Sequence, residues 1–307
     1  MWRPILPTLA AHFRCIALDL KGYGQSDKGR GDYRHEGVAT QVIALLDALE
    51  IESFSLFSHD RGTVQADHMV ARIAPRVRRW VRGSQHLWHY HPDLSPQEHL
   101  FTDAETRELL QQPEIFLPRF LGWLCKYPIP RDAVVCAIQE FGRPGVGLAV
   151  ERYFQSSTFR REWLDRRSRL IDAWRCPTLI LQGSDEPPMP REFYTDDVAA
   201  RLSEARIAFV DGGHFYVEEN PAGTLAATLD FLTAPRPPQA GRKRDVRAAP
   251  RANAARCAHW RCLATSSTWT AGPGQVCRLS CTSRRSTCSY VIAKRWGAIP
   301  ERSDAPS

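Results

Sequence analysis

No apolar run in this sequence is long enough to cross a bilayer, which takes about 20 residues in a helix, so no spanning segment is expected. Nor does a basic-then-apolar leader precede the first strand, since Met1-Trp2-Arg3-Pro4 runs straight into a short amphipathic segment. A cytoplasmic protein without membrane partners is therefore expected. The nine cysteines lack any paired spacing suited to zinc. Cys15, Cys125, Cys136 and Cys176 are scattered through apolar or strand contexts, and most of them read as free buried thiols. Cys257, Cys262, Cys277, Cys281 and Cys288 crowd into the last quarter of the chain, where no sustained period of either kind is found. That stretch is expected to be disordered; a shifted reading frame would give the same composition.

Charge divides the chain at the same place. The whole carries 41 Lys and Arg against 34 Asp and Glu, a formal charge of +7. From Pro235 onward there are 14 basic and 3 acidic residues, which leaves 27 basic and 31 acidic in 1–234. The basic balance belongs to the tail and says nothing about the body. Tail binding to nucleic acid would be electrostatic and salt-sensitive, and neither that nor a tail zinc site is expected.

In the body, strands alternate with helices. Phe13–Leu18 reads as a buried strand, followed by the glycine-rich Asp19-Leu20-Lys21-Gly22-Tyr23-Gly24-Gln25-Ser26. Val38, Val42, Leu45, Leu46 and Leu49 share one helical face. A strand over 53–58 precedes a helix from about Gly62 to Ala74, stopped by Pro75, and Val77–Ser84 is a further strand candidate. Residues 86–169 lose the alternation and carry helical patterning with many aromatics. It resumes with a strand over 177–183, a helix near 191–202, a strand over 205–210 and a helix over 222–232. This order implies a mostly parallel sheet covered on both faces. The domains expected are a core over 1–85 and 170–234, a helical cap over 86–169 and the tail over 235–307.

Ser58-His59-Asp60-Arg61-Gly62 joins the second strand to its helix. Small residues flank a reactive one at a sharp turn, and serine is lacking at the centre, where Asp60 stands instead. A carboxylate nucleophile suits displacement at a saturated carbon and gives an ester. Aspartate is also a good helix N-cap. Gly213-His214-Phe215 follows the strand over 205–210, and Gly183-Ser184-Asp185-Glu186-Pro187 follows the one over 177–183.

Together these segments resemble the α/β-hydrolase superfamily: the glycine loop, the nucleophile elbow, the acid loop and the histidine loop come in the order that fold uses. The resemblance spans roughly Trp2 to Leu232. His-Asp-Arg-Gly is similar to the epoxide hydrolase and haloacetate dehalogenase branch. It implies that Asp60 attacks an epoxide or halogen-bearing carbon and that His214 deprotonates the water that cleaves the ester. By spacing from Gly183, Glu186 takes the position of the orienting acid, with Asp185, one residue earlier, as the alternative. Arg61 would supply a backbone oxyanion donor, and its side chain resembles one that holds a substrate carboxylate; it could equally pair with a structural carboxylate. The second arginine of haloacetate dehalogenases is missing, Thr63-Val64-Gln65 standing there. Phe141-Gly142-Arg143-Pro144-Gly145 followed by Tyr153 resembles the cap segment that carries an epoxide-polarising tyrosine. Tyr127 and Tyr90 are candidates for a second, and Trp88, His89 and Trp123 for halide donors. His59 reads as structural.

No cofactor or metal is implied; the partners implied are a small apolar organic substrate and water. The sequence leaves monomer and homo-oligomer open. The family carries strands ahead of the segment that opens at Trp2, with a His-Gly-x-Pro loop that supplies a second oxyanion donor, so N-terminal truncation is expected. Loss of one donor costs roughly a hundredfold to a thousandfold in rate. A non-catalytic remnant that keeps the pocket, or a small-molecule binding protein, is the alternative to an enzyme.

Overall fold

The apolar runs of the body form the strands of one sheet. The computed structural model describes residues 1–87, 103–156, 161–194, 202, 205–235, 276–278 and 290–295. After a short helix α1 (Leu6–Ala10) come β1 (Phe13–Leu18), α2 (His35–Ala48), β2 (Phe54–His59), α3 (Arg61–Ile73) and β3 (Val77–Gly83). Five helices follow: α4 (Ala104–Leu109), α5 (Pro113–Leu124), α6 (Arg131–Phe141), α7 (Val146–Ser156) and α8 (Arg161–Asp172). The core then resumes with β4 (Thr178–Gly183), β5 (Ala205–Val210), α9 (Tyr216–Glu219) and α10 (Pro221–Thr233), and the tail adds β6 (Val276–Arg278) and β7 (Tyr290–Arg295).

The strand order is β5-β4-β3-β2-β7-β1-β6. β2 to β5 are parallel neighbours, whereas β7 runs antiparallel to both β1 and β2. Alternation along each strand sorts side chains to two faces. Ile16, Leu18, Leu56, Trp80 and Ile180 join α2 and α3 in one cluster, while Cys15, Ala17, Phe57, Val81, Leu179 and Leu181 join α1 and α10 in the other. Both faces are covered, which is why the strands read as continuous apolar runs. The cap helices have their own small core of Leu110, Phe116, Leu117, Val146 and Val150.

The tail departs from its expected disorder, because two of its segments enter the sheet. β7 lies between β1 and β2, pairing Ile16 and Leu56 with Ile292. Tyr290-Val291-Ile292-Ala293 is a short β-branched and aromatic run, the residue type that suits a pleated surface, and it was hidden inside a basic, low-period composition. Of the helix expected near 191–202, the described part holds one 3-10 turn, Arg191–Phe193, followed by the buried Tyr194; 195–201 lie outside the described residues. Among the described residues no helix is long and apolar enough to cross a membrane. Cys15 and Cys176 are buried free thiols, and Cys125 and Cys136 are free but only half-buried.

Candidate active site

Asp60, Glu186 and His214 each follow the carboxyl end of a core strand, where parallel sheets place ligands. Asp60 follows β2 at the turn into α3, with φ 50° and ψ −126°. A non-glycine residue there costs on the order of 1–3 kcal/mol and persists only when its surroundings hold it. Here the Asp60 N–H donates to Gly83 O at 3.2 Å and the Thr63 N–H to Asp60 O at 2.8 Å. Thr63 Oγ1 lies 2.8 Å from Gly83 O and 3.0 Å from Ser58 Oγ. Ser58 Oγ also accepts from the Trp80 indole at 2.9 Å. The turn is thus bolted to the next strand, and it pushes the Asp60 side chain outward, 43% exposed.

His214 faces it. Its Nε2 lies 3.9 Å from Asp60 Oδ1, and its Nδ1 lies 2.6 Å from Glu186 Oε1. The structure therefore brings Glu186, not Asp185, to the histidine. The Glu186 side chain is fully buried, and burial pushes its carboxyl up although His214 and Ser84 pull the other way. Asp185 is a half-exposed partner of Lys126 Nζ at 2.8 Å, and bonds to Lys126 and Ser184 hold its pKa down. Burial lowers the pKa of His214, but the charge and hydrogen bond of Glu186, with Asp60 and Glu219 behind them, raise it more, for a net upward shift.

The histidine is also fixed from behind. A carbonyl can only accept, so His59 Nε2, 2.7 Å from His214 O, carries the proton and donates. Burial keeps His59 neutral by lowering its pKa well below the usual value, and its ring meets that of His214 edge-on at 4.9 Å. Ser84, itself at φ 46°, places Oγ 3.2 Å from Glu186 Oε2 and 3.3 Å from His214 O. Sequence reading missed Ser84 as a site residue; the only signal was its place at the end of a strand.

Other expected residues are placed differently. Arg61 is buried as the first residue of α3, where helix geometry leaves an N–H without an intrahelical acceptor. Its guanidinium stacks 3.6 Å above the Phe154 ring. Tyr153 is fully buried, and its O–H donates to Lys21 O at 2.8 Å. That contact corrects the expected epoxide-polarising role, because the phenol proton is committed to the glycine loop. Tyr127 is 41% exposed and donates to Asp211, and Trp123 is 48% exposed on the cap; neither offers a buried donor to the site. Trp88, His89 and Tyr90 lie outside the described residues. Tyr23, which the sequence reading left within the glycine loop, is the phenol that feels the charges of Arg61 and Asp60; burial pushes its pKa up to about 12. Among the described residues no group of three or more His, Cys, Asp or Glu side chains is arranged to hold a metal ion.

Comparison with known proteins agrees with this architecture. A family model for the alpha/beta hydrolase fold matches residues 1–123. A haloalkane dehalogenase of Psychrobacter cryohalolentis is 34% identical over 250 residues, covering 76% of this chain and 78% of that one. A haloalkane dehalogenase of Mesorhizobium japonicum is 47% identical over 77 residues, a stretch that spans only a quarter of either chain. The solved structure of the epoxide hydrolase CorEH superposes with a TM-score of 0.61 at 20% identity, covering 76% of this chain and 86% of that one. The chain belongs to the α/β-hydrolase fold family, and it is a hydrolase of that type.

Proposed function

We propose that the protein hydrolyses a bond at a saturated carbon, a carbon–halogen bond first, through an ester on Asp60. The observation that carries this reading is His214, held between Glu186 at 2.6 Å and Asp60 at 3.9 Å. An Asp60 oxygen attacks the substrate carbon, and halide leaves with the bonding electrons. His214 Nε2 then takes a proton from water, and the hydroxide adds to the Asp60 carbonyl carbon. The bond from that carbon to the substrate oxygen breaks, and the departing alkoxide takes the proton from His214. Asp60 loses a proton to solvent, so haloalkane and water give alcohol, halide and a proton. Glu186 holds the imidazole in the tautomer with Nε2 free and stabilises the imidazolium. The Arg61 backbone N–H is the donor for the oxyanion. The haloalkane dehalogenase relatives support a small apolar substrate, and the missing second arginine argues against a haloacetate.

Epoxide opening is the second reading, and Tyr23 favours it. Its ring packs against that of Tyr153 at 5.6 Å, and its hydroxyl feels the charge of Asp60. There the phenol would protonate the alkoxide that ring opening leaves. The test is the His214→Gln variant mixed with 1-bromobutane or styrene oxide. Ester formation without hydrolysis should leave the alkyl group on Asp60, read by intact mass and peptide mapping. An adduct with the bromide alone favours dehalogenation, and one with the epoxide alone favours the second reading. No adduct with either would overturn the covalent mechanism.

A further inference from the structure

The cap is not merely laid over the histidine loop; it is hydrogen-bonded into it. α5 ends at Leu124, and the last carbonyls of a helix need outside donors. Leu124 O receives the His214 backbone N–H at 2.8 Å. Two residues on, the Lys126 and Tyr127 N–H groups both donate to Glu219 Oε2 at 2.8 Å. The same carboxylate accepts the Gly213 N–H, with both oxygens at 3.0 Å. One side chain therefore gathers backbone donors from the cap and from the residue before the histidine. Charge-assisted bonds of this kind are about twice as strong as neutral ones.

The packing leaves no slack. A Cβ on Gly213 would sit 2.3 Å from Leu124 O and 2.7 Å from Lys126 N. A Cβ on Gly183, at the end of β4, would sit 2.1 Å from Gly213 O. The acid loop is tied in as well, through the Asp185 N–H to Gly212 O at 3.1 Å and Lys126 Nζ to Asp185 and Asp211. The cap exit, the acid loop and the histidine loop form one hydrogen-bonded block.

We propose that Glu219 is a positioning residue that locks the end of the cap helix α5 to the histidine loop, so that the seating of the cap sets where His214 meets the ester on Asp60. The inference rests on the covalent reading above for its catalytic consequence, and on geometry alone for the lock. Alkylation of Asp60 needs no base, whereas hydrolysis needs His214 within reach of the ester. A misplacement of about 1 Å at such a contact can cost about 10²-fold. The lock should therefore act on the second step only.

The experiment compares Glu219→Gln with the parent and with His214→Gln, using 1-bromobutane and styrene oxide and following intact mass with time. Glutamine keeps the shape but offers one oxygen acceptor and no charge. The expected result is alkylation of Asp60 at the parent rate with ester hydrolysis slowed about 10²-fold, so that the adduct accumulates during turnover. General damage to the fold would slow both steps together. Gly213→Ala, which wedges the same joint without touching the carboxylate, should give the same accumulation. A second readout is independent of chemistry: the His214 amide, bonded to Leu124 O, should lose at least tenfold of its hydrogen-exchange protection in Glu219→Gln. Parent-like hydrolysis with parent-like protection would overturn the proposal. Lost protection with no adduct even in His214→Gln would leave the lock standing and overturn the covalent reading instead.

Discussion

Asp60 and Asp67 begin and continue the same helical segment, yet they are held in opposite ways. Asp67 is fully buried on α3, with Arg82 Nε and Nη2 at 3.0 and 3.1 Å and Arg167 Nε at 2.7 Å. Arg82 comes from β3 and spends its other N–H groups on the carbonyls of Gln85 and His86, and Arg167 comes from cap helix α8. Every direction from that carboxylate is taken, and it can do nothing but hold the cap to the core. Asp60 is 43% exposed, and its ion-pair partner among the described residues is His214, still 3.9 Å away. A buried, charged cluster is therefore no sign of chemistry in itself. What distinguishes the site is a half-exposed carboxylate facing a base that a second, buried carboxylate holds.

The comparison is broken most severely at the base. Replacing Glu186 by Gln removes the charge that fixes the His214 tautomer, and ester hydrolysis should slow by about 10³- to 10⁴-fold. The sign in pH follows from the net upward shift of His214. Neutral imidazole is the active form, so parent hydrolysis should rise with pH along a limb centred above the usual histidine value of 6.5. With Glu186 neutralised, burial dominates, and the limb should move to lower pH. Stopped-flow hydrolysis of the alkyl-enzyme across pH 5–9 checks both; an unmoved limb would mean that Glu186 does not govern the histidine.

Next in size is the filled cluster. Asp67→Asn leaves two buried guanidinium groups without their counter-charge, which costs about 3–5 kcal/mol. Urea denaturation should show a midpoint lowered accordingly, with Asp185→Asn, whose pair is half-exposed, close to the parent in the same assay. A small loss at Asp67 would erase the distinction between the two carboxylates. The smallest effect is expected at Asp185. Its pair with Lys126 is half-exposed, and such pairs contribute about 0–1 kcal/mol. Asp185→Asn should leave ester hydrolysis at the parent rate, whereas a loss like that of Glu186→Gln would reassign the acid.

Legibility followed sequence distance. The elbow, the glycine loop and the acid and histidine loops are local patterns of small and reactive residues at strand ends, so Asp60, Glu186 and His214 were readable with their order. Spacing from Gly183 favoured Glu186 over Asp185, but which of the two reaches His214 depends on how the loop turns in three dimensions. Asp67, Arg82 and Arg167 stand on three separate elements, and no spacing announces that they meet. Ser84 and Glu219 act through hydrogen bonds to groups on other loops, Glu186 and His214 for the one and the Lys126, Tyr127 and Gly213 N–H groups for the other, and these leave no compositional trace. Tyr153 was chosen on a sequence resemblance, which carries no information on the partner of its hydroxyl, Lys21 O. The tail strands were missed because a run of four suitable residues was outweighed by the basic sequence around it.

The place of β7 bears on how the chain reaches its native state. Phe13 on β1 pairs with Arg295, and Ser55 on β2 pairs with Ala293. The two earliest strands of the sheet thus have no neighbour between them until nearly the whole chain has left the ribosome. Pairings of such high contact order form slowly, and meanwhile β1 and β2 present open edges to other nascent chains. Synthesis rate and chaperone supply, more than the strength of the finished core, should set how much of this protein a cell recovers in folded form.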